Sequence, residues 1–313
     1  MSIVIVKRSQ RVAGPALPTG ELELAEPPVL GEPASLDFSS AMVYLPMGLG
    51  SAAMVMMFSV AGSTPTVYMM SGMMGVSMVS MSVTQLGRQG MERKRKMRAE
   101  RRDYLRYLTQ LRGQARAAAD EQRAASRWDN PEPASLWSLV SVPRLWERRA
   151  SHEDFGRVRV GLGAQRAALE FVPARTRPVE DLEPLTAIAL RRFIRAYRTV
   201  SDLPIAVGLR SFTSVEFAGE AGPVLALVRA MVCQLAVLHS PDDLRISILT
   251  DEPGSAEWDW CKWLPHMTHA SARDGAGPLR MVAGDHDELM DLLGPSVTDR
   301  PDFDRTSGRD TMQ

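Results

Sequence analysis

Cysteine is nearly absent: Cys233 and Cys261 are the only two among 313 residues. That excludes a disulfide framework and suits a reducing compartment. Aromatic residues are also few, at 6%. Nor is there an excess charge of one sign, since 37 basic side chains balance 37 acidic ones. As an average, this balance argues against a nucleic-acid surface or a charged membrane partner. The average hides an uneven distribution. Between Asp37 and Arg88 there are fifty consecutive positions with no charged residue at all.

That run also holds eleven of the 19 methionines. About 20 apolar residues span a bilayer core, so fifty allow two spans and a turn. The breakers Ala61-Gly62-Ser63-Thr64-Pro65-Thr66 mark the turn. The pattern therefore predicts a membrane helical hairpin within residues 38–87, with helices at about 40–60 and 66–86. A buried hairpin of a soluble core would carry a polar face, and these segments offer only Ser, Thr, Gly and Gln. Neither span has an ionisable group, which argues against a proton or ion path built from this chain alone. The run begins too far from Met1 for a signal peptide.

Residues 88–127 carry 13 basic and 5 acidic side chains, with Gly90 and Gly113 but no proline. Tyr104, Leu108, Leu111 and Ala115 recur at steps of 4, 3 and 4, one stripe of a helix. The expectation is a long basic helical stalk leaving the membrane. Its basic end beside the spans places both termini on the cytoplasmic side of the plasma (inner) membrane. Three uses compete for the stalk. The basic end contacts anionic lipid, the stripe Tyr104, Leu108 and Leu111 docks a partner subunit, or the charge binds nucleic acid. Proximity to the bilayer makes the last sterically poor, so no nucleic-acid partner is expected.

Residues 1–37 form a Pro-rich segment with Pro15, Pro18, Pro27, Pro28 and Pro33, which cannot build its own core. Glu21-Leu22-Glu23-Leu24 alternates like a strand and suits addition to a neighbouring sheet. From 128 to 313 the pattern is α/β. A hairpin is expected over 151–172, a helix over 183–200, and strands at 203–209 and 214–218. An apolar helix follows at 224–238, then strands at 244–249 and 279–283 and a helix at 287–293.

Ser214-Val215-Glu216-Phe217-Ala218-Gly219-Glu220-Ala221-Gly222-Pro223 reads as a strand running into a glycine turn and a helix, the layout of a phosphate-binding loop. Counted from Gly219 in the G-x-x-x-x-G-K-[ST] frame, the second Gly falls on Val224, the Lys on Leu225 and the Ser/Thr on Ala226. Pro223 removes one amide donor. Gly219, Gly222, Leu225 and Ala226 thus outline a degenerate nucleotide loop without its chemistry. No cofactor is expected in this portion.

The chain resembles the EccC subunit of actinobacterial type VII secretion systems, a membrane-anchored relative of the FtsK/SpoIIIE ATPases. Beside the Pro-rich start, the spans and the basic stalk, four stretches carry the resemblance: Arg144-Leu145-Trp146-Glu147-Arg148-Arg149, then Phe155 to Gly163, His239-Ser240-Pro241-Asp242-Asp243-Leu244, and Trp258 to His266. It implies that 128–313 is an incomplete, degenerate ATPase-like domain. It also implies that ATP and magnesium act in downstream domains of a longer protein. The implied partners are EccB, EccD and EccE, further copies of the chain, and exported helical pairs. An FtsK-type DNA translocase and a regulatory nucleotide-binding module are the alternative functions.

Other chemistry is thinly signalled. Cys261, His266 and His269 have C-x4-H-x2-H spacing but no fourth zinc ligand. Trp258, Trp260 and Trp263 suit packing better than a partner hot spot.

Overall fold

The computed structural model describes residues 8, 10–30, 50, 53, 56–57, 65–174, 177–294 and 297. The first expected span, about 40–60, lies almost wholly outside them. The described chain divides into two compact units. One comprises Thr19–Ala118 and Leu169–Thr199, the other Met1–Pro18, Ala119–Ala168 and Val200–Gln313.

Helix α1 runs from Pro65 to Asp129 without interruption. At 1.5 Å per residue its 65 residues extend roughly 97 Å. Its limits follow from proline, because none occurs between Pro65 and Pro131. Proline is tolerated at the first helical position, where its missing N–H is not needed. It cannot continue a helix already under way.

In the first unit, strand β1 (Gly20–Leu24) pairs in parallel with β3 (Leu169–Pro173), Leu22 opposite Phe171 and Leu24 opposite Pro173. The alternation puts Leu24 inside and leaves Glu21 and Glu23 exposed. Helix α3 (Pro184–Tyr197) starts with Glu183, whose carboxylate accepts from the Thr186 N–H at 2.8 Å, and with Pro184 at its first position. Leu190 and Phe193 face inward. The core gathers Leu24, Phe171, Leu190 and Phe193 around Tyr104, Leu108, Leu111 and Ala115 of α1. Two hydroxyls fix the end of β1: Tyr104 donates to the Ala25 carbonyl at 2.9 Å, and the Ala25 N–H donates to Tyr107 at 3.0 Å.

In the second unit, β2 (Arg157–Arg166) pairs with β4 (Thr199–Gly208). A short helix α2 (Leu136–Leu139) precedes them. Helix α4 (Ala221–Leu238) is held to β2 by Gln234, whose amide accepts from the Arg159 N–H at 2.8 Å and donates to its carbonyl at 3.0 Å. Short ladders follow: β5 (Ile248–Leu249) parallel to β8 (Val282–Ala283), and β6 (Thr268–Arg273) antiparallel to β7 (Pro278–Arg280). Helix α5 (His286–Leu293) is capped by Asp285, which accepts from the Glu288 N–H at 2.8 Å.

The architecture is thus mixed helices and small sheets, and several expectations need correction. The hairpin expected over 151–172 does not form. β2 and β3 are consecutive but pair with β4 and β1 respectively, so every described ladder has two strands. The turn between β2 and β3 is held from α1, where Gln122 donates to the Arg166 carbonyl at 3.0 Å and accepts from the Ala168 N–H at 2.9 Å. Residues 214–218 form no strand, and of 244–249 only Ile248–Leu249 joins a ladder. The strand expected at 279–283 is two short ones, β7 and β8.

Among the described residues one helix, Ala221–Leu238, is long and apolar enough to cross a membrane. Its buried residues Met231, Val232, Gln234, Ala236 and Leu238, with the Gln234 bonds to β2, make it the apolar domain helix expected at 224–238.

Candidate functional site

The four stretches singled out in the sequence meet in the second unit as a buried polar hub. Arg148 is 1% exposed. One of its terminal nitrogens donates to the Arg157 carbonyl at 2.6 Å, the other to the Asp129 carbonyl at the end of α1, and Nε lies 3.0 Å from Asp154 Oδ2. Arg11 grips the same carboxylate from outside with a two-pronged pair at 2.9 and 2.7 Å. Burial alone would raise the Asp154 carboxyl. The bonds from Arg11 and the charge of Arg148 bring it below the usual carboxylate range. Beside them Arg144 pairs with Glu147, donates to the Trp128 carbonyl at 2.9 Å and stacks 4.2 Å over the Trp128 ring.

Two histidines close the hub. The Gly156 N–H donates to His239 Nε2 at 2.9 Å, so Nδ1 carries the proton and donates to the Leu235 carbonyl at 3.1 Å. Phe155 meets the imidazole edge-on, with ring centres 4.9 Å apart. His266 Nε2 lies 2.8 Å from the His239 carbonyl and is therefore the protonated nitrogen, while its buried Nδ1 has no partner among the described residues. Trp146 takes φ 54°, a costly left-handed conformation for a bulky residue. Its N–H and Nε1 donate to the Val237 and Ala236 carbonyls at 2.9 and 3.1 Å, which holds it there. The hub joins the end of α1, the start of β2 and the end of α4. Apart from His266 Nδ1, the side chains named are engaged with one another or with nearby backbone, so the role of the hub is positional.

A pH dependence follows from the histidines. Burial foremost pushes the His239 pKa down to about 4; Arg148 and His266 add to the fall, while the Leu235 carbonyl and Asp154 oppose it. His266 is lowered too, again chiefly by burial. Below the ordinary pKa of about 6.5 the unfolded chain binds a proton that the folded chain refuses. Stability is therefore full above about pH 6.5 and falls toward pH 4, by roughly 3 kcal/mol for a shift of this size. Urea unfolding in detergent at pH 7 and pH 5 measures it. An equal midpoint at both would contradict buried neutral imidazoles.

The degenerate loop is exposed at Gly219, Gly222 and Ala226 and half-buried at Leu225. Gly219 has φ +151°, a conformation that side chains rarely adopt. Glu220 occupies the position before α4 and makes no side-chain cap, and Pro223 removes an amide from the first turn. Two exposed carboxylates, Glu216 and Glu220, thus flank the first glycine, Leu225 takes the place of the lysine, and residues 214–218 form no strand to feed the loop.

The stripe read as a docking face is covered by the chain itself. Tyr104, Leu108 and Leu111 are 8%, 2% and 5% exposed, beneath β1, β3 and α3. Its apolar surface is consumed within one unit, because β1 from the Pro-rich segment supplies the edge that covers it. Cys261, His266 and His269 point to separate tasks. Cys261 packs with Ile248 and Met267, His266 bonds His239, and His269 Nδ1 accepts from the Ser271 and Ala272 N–H groups. Trp258 and Trp260 pack on that cluster, whereas Trp263 is 77% exposed.

Sequence reasoning missed the hub as a unit. Its members were visible only as pieces of a resemblance. Arg11 sits in a proline-rich segment 143 residues from Asp154, and no local pattern links them.

No family model matches the chain. It is 47% identical over 304 residues to the ESX secretion system protein EccC of Thermomonospora curvata, covering 97% of this chain and 23% of that protein. It is 38% identical over 293 residues to the ESX-4 secretion system protein EccC4 of Mycobacterium tuberculosis, covering 91% and 23%. The ESX-1 secretion system protein EccCa1 of the same species is 34% identical over 302 residues, covering 91% and 40%. The class is thus that of ESX secretion-system components. Within it, the chain belongs to the EccC family. It spans about a quarter of the length of the first two of these relatives.

Proposed function

We propose that this chain anchors the motor subunit of a type VII secretion apparatus in the inner membrane and couples it to the membrane subunits of that apparatus. The observation that carries this reading is its match to ESX EccC proteins along nearly its whole length. The fifty-residue uncharged run supports the anchoring role. Helix α1 starts inside that run, where Met69, Met73 and Val76 are 79%, 73% and 71% exposed, more apolar surface than water tolerates on a lone helix. In this reading the chain crosses the membrane twice with both ends in the cytoplasm. Its partners are EccB, EccD and EccE type subunits and further copies of itself. The exported helical pairs, ATP and magnesium belong to domains beyond this portion.

The portion itself is proposed to hydrolyse no ATP, because Leu225 and Ala226 replace the lysine and hydroxyl that phosphoryl transfer uses. Purified chain in detergent should turn over magnesium-ATP at the background rate. Turnover above background that is lost on Gly219→Pro would overturn this. Mild-detergent co-purification of membrane subunits tests the coupling role, and resistance to alkaline carbonate extraction tests the anchor.

A further inference from the structure

Four consecutive cations, Arg93, Lys94, Arg95 and Lys96, are all exposed on α1. Successive residues of a helix turn by about 100°, so four in a row point in four directions around the axis. They form a collar and not a stripe. A helix lying in a membrane surface segregates its charge to one side; a collar suits a helix that passes through the headgroup layer.

The position fits as well. Gly87 ends the uncharged run, and the collar lies six to nine residues beyond it, about 9–14 Å along the axis. The headgroup layer on each side of the hydrocarbon is roughly 5–8 Å thick. Helical side chains tilt toward the helix N-terminus, here back toward the run, and the long stems of Arg and Lys cover the remaining distance. On the far side the protein's own packing begins: Met97, Ala99 and Glu100 are half-buried, Arg101 pairs with Glu183 at 2.6 Å, and Tyr104 is the first buried apolar side chain of the core. Within the collar, Lys96 pairs with Glu100 at 4.0 Å between exposed groups, which is worth little. Among the described residues, the cations are thus exposed and weakly paired between the uncharged run and the folded unit.

We infer that Arg93, Lys94, Arg95 and Lys96 form a ring-shaped binding site for anionic phospholipid headgroups, which sets the depth of α1 in the membrane. The inference rests on the proposal that the uncharged run spans the bilayer. The charge complementarity is direct, because a helix that crosses this level meets phosphate-bearing anionic headgroups around its axis.

The test uses the full chain in nanodiscs made from mixed phosphatidylcholine and phosphatidylglycerol. The phosphatidylglycerol retained per disc is measured by mass spectrometry against empty discs. Wild type should hold an excess of phosphatidylglycerol that disappears when discs are assembled in 1 M salt. R93Q/K94Q/R95Q/K96Q should fall to the bulk ratio; glutamine keeps helix propensity, which circular dichroism verifies. R102Q/R106Q, with exposed cations further along α1, should keep the excess. An excess retained by the quadruple variant, or lost equally in the control, overturns the collar while the anchor stands. Release of wild type by alkaline carbonate overturns the anchor and the collar together.

Discussion

Replacing Arg148 with Met should destabilise the second unit by about 3–5 kcal/mol, the cost of leaving one partner of a buried ion pair behind. Two carbonyls, those of Arg157 and Asp129, lose their donor at once, and Asp154 loses an ion-pair partner. The loss exceeds that of an ordinary pair because Arg148 also bonds the backbone where α1 ends and β2 begins. For a unit of this size the unfolding temperature should fall on the order of 10 °C. All six tryptophans lie in the second unit, so tryptophan fluorescence reads this unit selectively. Arg11→Ala removes a partner whose side chain is 36% exposed, and its effect should be clearly smaller. In R148M/D154L the missing charge no longer strands its partner, so part of the loss should return. An Arg148→Met chain that melts with wild type would show that the hub contributes nothing.

Leu108→Ala and Leu111→Ala should each cost about 2–5 kcal/mol in the first unit, the usual range for a leucine cut back in a packed core. Both residues sit beneath β1, β3 and α3 beside Phe171 and Phe193, whose rings meet edge-on at 5.3 Å. Hydrogen exchange should show lost protection over β1 and α3, with tryptophan fluorescence of the other unit little changed. Leu105, on the same helix but 42% exposed, is the control; its alanine variant should shift stability by no more than about 0.5 kcal/mol. Intact protection in Leu108→Ala would restore the stripe as a surface for another subunit. If protection is lost, any subunit that docks on α1 uses its other faces, and variants of the stripe weaken assembly only by unfolding the unit.

The two predictions separate what was legible from what was not. The proline-free interval from 66 to 130 delimits α1, and steps of 4, 3 and 4 pick out the face that is buried. The alternation of Glu21-Leu22-Glu23-Leu24 identified a strand in a segment otherwise unable to fold alone, and that strand does add to an edge. The uncharged run and the collar after it are likewise plain in one dimension. Each is a local quantity, a period or a charge count, which the chain carries whatever it later touches.

Tertiary structure alone decided the partners. The stripe of α1 was read as open because nothing near it in sequence covers it. Its cover comes from β1, about 80 residues before, and from β3 and α3, about as far after. The hairpin fails for the same reason: β3 pairs with β1 and β2 with β4, strands that lie outside the segment where the hairpin was expected. The hub needs Arg11, Asp154, Arg148, His239 and His266 together. Burial makes each polar group costly unless its partner is in place. Arg11 and Asp154 alone are 143 residues apart, so only the folded chain can bring such partners together.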